Sequence, residues 1–163
     1  MDLRGNPGGF EIEAIKIASC FIKHPFEYCT QKYSTANKVY AGKTIIKPNT
    51  FMNLADSKVI ILVDNKTACA SESFTMMLKK TNAAVIVGSA NTSGSFSTVY
   101  SFHLPENISL SANVLSKTYV TNEHNILENK GINPDVLVSI NSYSDLYGYN
   151  DKVLEAAMDF TRK

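Results

Sequence analysis

Residues 59–87 read VIILVDNKTACASESFTMMLKKTNAAVIV, and the order of apolar and polar segments within them decides the fold class. Val59–Val63 is a short unbroken apolar run, the pattern of a strand buried on both faces. Asp64–Ala70 reads as a turn. From about Ser71 to Lys80, Phe74, Met77 and Leu78 recur on one side of a helix, and Ala84–Val87 is a second buried strand. Strand, turn, helix and strand in succession make a βαβ unit, so the class is α/β.

Upstream, Phe10–Lys23 carries Phe10, Ala14, Ile17, Ala18 and Phe21 at helical spacing, and Pro25 is expected to end that helix. Phe26–Tyr33 and Lys38–Lys47 are rich in aromatic and β-branched residues and read as strands. Downstream, Asn91–Ser97 reads as a polar loop. Val99–Leu104, Ile108–Leu110, Lys117–Val120 and Val136–Ile140 read as strands, with a loop over Asn122–Asp135. A last helix is expected over Asn150–Arg162, with Val153, Ala157 and Phe160 as its stripe and Asn150 or Asp151 as its cap. No internal repeat interrupts this order. The opening, Asp2–Gly9, has the composition of a loop that follows a buried strand, yet only Met1 precedes it. We therefore expect residues 1–163 to be a single core domain that lacks an N-terminal part.

The chain has 163 residues, 44% of them hydrophobic and 19% charged, which is enough to bury a core. With Lys+Arg at 16 and Asp+Glu at 15, the charge gives no footprint for nucleic acid or an anionic membrane. No apolar run has the length of a membrane span, and the first residues do not form a signal peptide. Cys20, Cys29 and Cys69 lack metal-ligand spacing, and no cysteine or histidine pair forms a zinc motif with His24, His103 or His124. No metal or cofactor is expected. Cys20 and Cys29 read as buried, inert thiols.

Three strings carry chemistry. In DLRGNPGG (residues 2–9) the glycines let backbone N–H groups approach a developing negative charge, and a helix begins just after them. That suits half of an oxyanion hole, or a plain strand-to-helix turn. In DNKTACASE (residues 64–72) Cys69 lies on a strand-to-helix turn between Ala68 and Ala70. A nucleophile there is exposed, and the next N–H can bind an oxyanion. Otherwise Cys69 is a small packed residue and Ser71 the helix cap. In ENKGINPD (residues 128–135), Gly131 and Pro134 shape a turn, and Glu128 either orients a reacting group or is a solvated loop carboxylate.

Together with VGSANTSG (residues 87–94), these strings occur in the order seen in C-terminal processing (tail-specific) and tricorn-like serine peptidases, which the chain resembles over nearly its whole length. The resemblance implies an endopeptidase with a ClpP/crotonase-like core built of β-β-α units, acting on peptide or protein substrates, often in the cell envelope. It puts the nucleophile position on Cys69, the oxyanion amides on Gly8 or Gly9 and on Ala70, and the tricorn-like glutamate on Glu128.

Three departures qualify it. The nucleophile is cysteine rather than serine, and a site set for oxygen need not suit the longer C–S bond; a small displacement can cost about 100-fold in rate. The loop Ser89–Ser95 lacks the lysine base of the processing branch, which favours the tricorn-like one. That branch takes its histidine from upstream of DLRGNPGG, and His24, His103 and His124 do not match it. Two readings follow: a thiol peptidase core that receives its base from elsewhere, and an inactive relative that keeps a peptide groove. Acyl-CoA chemistry on a crotonase-type fold is disfavoured by ENKGINPD. A sheet edge left unpaired at the N-terminus would promote homo-oligomers.

Overall fold

The apolar run Val59–Val63 forms strand β3 and Ala84–Gly88 forms β4, paired in parallel with Val59 opposite Ala84 and Val63 opposite Gly88. Helix α2, Ala70–Lys80, makes the crossover. The computed structural model describes residues 1–35, 38–114, 117–119, 127–142, 145 and 150–162. The other elements are α1 (Glu11–Ser19), β1 (Phe26–Thr35), β2 (Lys38–Ile46), β5 (Thr98–Leu104), β6 (Ile108–Val114), β7 (Lys117–Tyr119), β8 (Val136–Leu137) and α3 (Lys152–Thr161).

The central sheet runs β3–β4–β8, all parallel. Its other edge is extended by the first residues: Leu62 N–H donates to Met1 O and Leu3 N–H to Leu62 O, each at 2.9 Å. Strand alternation splits the apolar side chains between two layers. Ile61, Val63 and Ile86 face a core with Ala18, Tyr28, Met77 and Leu78, while Leu62 and Val87 face Val153 and Ala157 of α3. Helices thus cover both faces, as a parallel sheet requires. A separate antiparallel sheet, β2–β1–β7, adds Tyr28 and Cys29 to the first core. Strands β5 and β6 form a two-stranded ribbon. Among the described residues no helix is long and apolar enough to cross a membrane.

Several expectations need correction. Helix α1 ends at Ser19, not at Pro25. The Ser19 hydroxyl donates to Lys16 O, and Cys20 and Phe21 N–H close onto Ile17 and Ala18 O in tight i→i+3 bonds. That turn sends Phe21 and Ile22 into the core. Along the helix the inner face is Ala14, Ile15, Ala18 and Ser19, rotated from the expected stripe, so Phe10 is 82% and Ile17 52% exposed. Cys20, at the helix end, is half-buried, whereas Cys29 is buried as expected. Phe160 is 40% exposed, so Val153 and Ala157 alone form the buried part of the α3 stripe. Asp151 is the cap of α3, accepting Leu154 N–H at 3.0 Å. Strand β8 covers two residues rather than five, and β6 runs four residues beyond Leu110. Val120 and His124, with residues 122–126 of the expected loop, lie outside the described residues.

Candidate active site

Beyond Val63 the chain must reverse from strand to helix within six residues, and Asp64 organises the turn. Its Oδ1 accepts N–H groups from Lys66 and Thr67 at 3.0 Å and from Gly5 at 2.9 Å. The fully buried Thr67 hydroxyl lies 2.8 Å from Leu3 O, and Ala68 N–H donates to Asn6 O at 3.0 Å. These bonds stitch the Asp2–Gly9 loop to the turn that carries Cys69.

Cys69 itself is the helix cap, correcting the alternative in which Ser71 holds that position. It is half-buried, with φ 54° and ψ −122°. A non-glycine residue there costs about 1–3 kcal/mol and persists only where its surroundings enforce it. They do so here: Cys69 N–H is shared by Glu72 Oε2 at 3.1 Å and Ser95 O at 3.2 Å. Gly8, at φ 98°, presses on the other side. A Cβ on Gly8 would stand 2.6 Å from Cys69 Cβ, 2.7 Å from Ala68 O and 2.8 Å from Ala70 N. The glycine loop and the Cys69 turn are thus brought into contact.

The amides divide their work. Gly8 N–H is committed to Asn6 Oδ1 at 2.9 Å. Among the described residues no acceptor takes the Gly9 N–H, and a Cβ on Gly9 would meet open space. Ala70 is the first residue of α2, where an N–H has no intrahelical acceptor. The positive end of the helix dipole adds to the same place.

Glu72 is the residue that motif reading passed over. It is fully buried, and its carboxylate accepts four donors: Thr92 Oγ1 at 2.5 Å, Gly94 N–H at 2.7 Å, Ser95 N–H at 2.8 Å and Cys69 N–H. It locks residues 92–95 against the turn. The spacing Cys69-x-x-Glu72 is that of a helix cap and its third residue, a signal the sequence did contain. Nothing comparable announced Thr92. Glu128 accepts Phe96 N–H at 2.8 Å and the Ser97 hydroxyl at 2.6 Å, so it fixes the next two residues of the same segment. The ENKGINPD turn interlocks with it: a Cβ on Gly94 would meet Lys130 N at 2.7 Å, and one on Gly131 would lie on Thr92 O. His24 is exposed after α1, and His103 pairs with Ser109 on the β5–β6 ribbon at 3.2 Å.

The far end of the glycine loop is anchored by charge. Arg4 donates to both oxygens of Asp151 at 2.8 Å and lies 2.6 Å from Asp2. Its hydrogen bonds to Asp2 and Asp151 raise the guanidinium further and hold Asp2 below the usual carboxylate range. Burial alone would raise Asp151, but the Arg4 and Leu154 N–H bonds outweigh it and leave that carboxyl lowered too.

Residues 1–138 match the family described as Peptidase family S41. A CtpA-like serine protease of Staphylococcus epidermidis is 32% identical over 151 residues, covering 90% of this chain and 28% of that protein. Its counterpart in Staphylococcus aureus strain COL is 34% identical over 154 residues, with the same coverage. The chain therefore spans 28% of the length of these curated relatives. Among solved structures, a peptidase from Parabacteroides merdae superposes with a TM-score of 0.77 at 22% identity, over 98% of this chain and 50% of that one. Mature CPAF with lactacystin gives 0.74 at 14% identity, over 99% and 42%. The photosystem II D1 C-terminal processing protease gives 0.62 at 21%, over 85% and 33%. At such identities the structural likeness speaks to the fold alone.

Proposed function

The chain belongs to peptidase family S41, and from that membership we propose that residues 1–163 form a peptidase core in which Cys69 holds the nucleophile position. The observation that carries this reading is the contact of Gly8 with a strained, half-buried Cys69 at the head of α2. The substrate is a peptide or protein. The Cys69 sulfur bonds to the scissile carbonyl carbon while its proton passes to a base. Gly9 and Ala70 N–H groups receive the oxyanion, the C–N bond breaks as the amine takes a proton, and a thioester remains. Water then hydrolyses the thioester and restores the thiol. In this scheme Glu72 and Glu128 hold the 92–97 segment beside the sulfur rather than transfer protons.

A second reading, an inactive relative that binds peptides, is favoured by one fact. Among the described residues no histidine or lysine is hydrogen-bonded to Cys69. The two separate by thiol reactivity. In the peptidase reading, iodoacetamide below pH 7 modifies Cys69 far faster than the half-buried Cys20, as read by mass spectrometry. Equal rates at the two sites would leave the peptide-binding reading standing.

A further inference from the structure

At the end of the sheet where β3 and β4 begin, away from Cys69, the layers leave a cavity of about 840 Å³. Five residues of β3 set its Val59 end about 13 Å from the turn that carries the thiol, while its Lys130–Gly131 end borders the segment packed on Gly94. Its walls are apolar: Val59 of β3, Val85 of β4, Met76 of α2, Ile132 and Phe160. Its mouth is basic. Lys58, Lys79, Lys80 and Lys130 line it against a single acid, Asp135, in a chain whose whole net charge is +1.

Two of these lysines are already occupied. Lys79 bonds Asp135 at 2.7 Å and Asn133 O at 2.5 Å, and Lys80 bonds Glu27 O at 2.7 Å. Lys58 and Lys130 are exposed and have no acceptor among the described residues. A concave apolar site with a few convergent polar groups is the usual form of a small-molecule pocket. Here the charge excess selects the sign of the ligand, and the walls select its body.

We propose that this cavity binds an anionic amphiphile, a carboxylate on an unbranched alkyl chain, with the alkyl chain against the Val59–Met76–Ile132 wall and the carboxylate at the lysine rim. Neutral chains of equal length lack the complementary charge, and short carboxylates lack the apolar area. Cys69 does not line the cavity.

A fluorescence titration of the 163-residue chain with 11-(dansylamino)undecanoic acid tests it. Saturable one-to-one binding is expected, displaced by dodecanoate and at least tenfold less well by 1-dodecanol. The double variant Lys58→Glu/Lys130→Glu, at exposed positions that leave the core untouched, weakens binding at least tenfold, and Cys69→Ala leaves it unchanged. Absence of saturable binding overturns the proposal. So does equal displacement by the alcohol, indifference to the double charge reversal, or loss of binding in Cys69→Ala.

Discussion

The conformation of a single residue, Cys69, is set by two neighbours of opposite character, one with no side chain and one with a buried charge. Gly8 has no room for a methyl group, whereas Gly5, also at positive φ (68°), has nothing within 4 Å of the Cβ position. The two alanine variants should therefore diverge. Gly5→Ala carries only the conformational cost, about 1 kcal/mol, or roughly 2–4 °C in thermal midpoint. Gly8→Ala must also displace the Cys69 turn, and urea unfolding should show a further loss of about 1–3 kcal/mol beyond that of Gly5→Ala. Glu72→Gln keeps the shape but puts an NH2 where N–H donors point. Each buried donor left without an acceptor costs about 1–3 kcal/mol, so urea unfolding should show a loss of at least that size. Retained stability in Glu72→Gln would mean that the four-donor cluster is not what holds the turn.

Helix α2 is the element on which the arrangement depends, because its first turn carries the site and its inner face fills the core. Met77 and Leu78 are fully buried within it. Met77→Ala should cost about 2–5 kcal/mol by transfer and cavity terms, read by chemical denaturation. Ile17→Ala on α1 provides the contrast: the apolar spacing counted Ile17 as inward-facing, but at 52% exposure it should change stability by less than about 0.5 kcal/mol. A large loss at Ile17 would restore the expected stripe. The error has a physical source. Periodicity reports which residues could share a face, but packing against the core turned α1 so that Ile15, Ala18 and Ser19 face inward and Ile17 does not. For α2 the same method succeeded because turn, helix and strand succeed each other with no slack.

Across the whole molecule, the two chain ends are tied by Arg4, which bonds Asp151 across 147 positions of sequence as well as its neighbour Asp2. Asp145 adds a local clasp on the α3 side: Asn141 N–H and Lys152 hold its carboxyl down to about 2. All three carboxyls titrate lower in the folded chain than their ordinary 3.8, so their contribution is complete above that value. It is lost as pH falls from about 4 towards 2. Arg4→Met should destabilise by about 3 kcal/mol at pH 7, leaving Asp151 buried beside an unpaired Asp2. The gap between wild type and variant in thermal midpoint should narrow as pH drops below 4. A gap that stays constant down to pH 2.5 would show that these carboxyls do not carry the acid response.

Local order in the chain determined the βαβ unit, the position of Cys69 at its turn and the order of the three strings, since each depends on residues within one element or its immediate flanks. The resemblance drawn from those strings named the family. Only the tertiary structure decided that Gly8 rests on Cys69, that Gly9 rather than Gly8 has its N–H uncommitted, and that Glu72 and Glu128 hold the 92–97 segment. Apart from the local bond of Gly8 N–H to Asn6, those facts are contacts between segments roughly 20 to 60 positions apart. Such contacts form when side chains from different elements compete for the same buried donors, and no periodicity along the chain encodes the outcome of that competition.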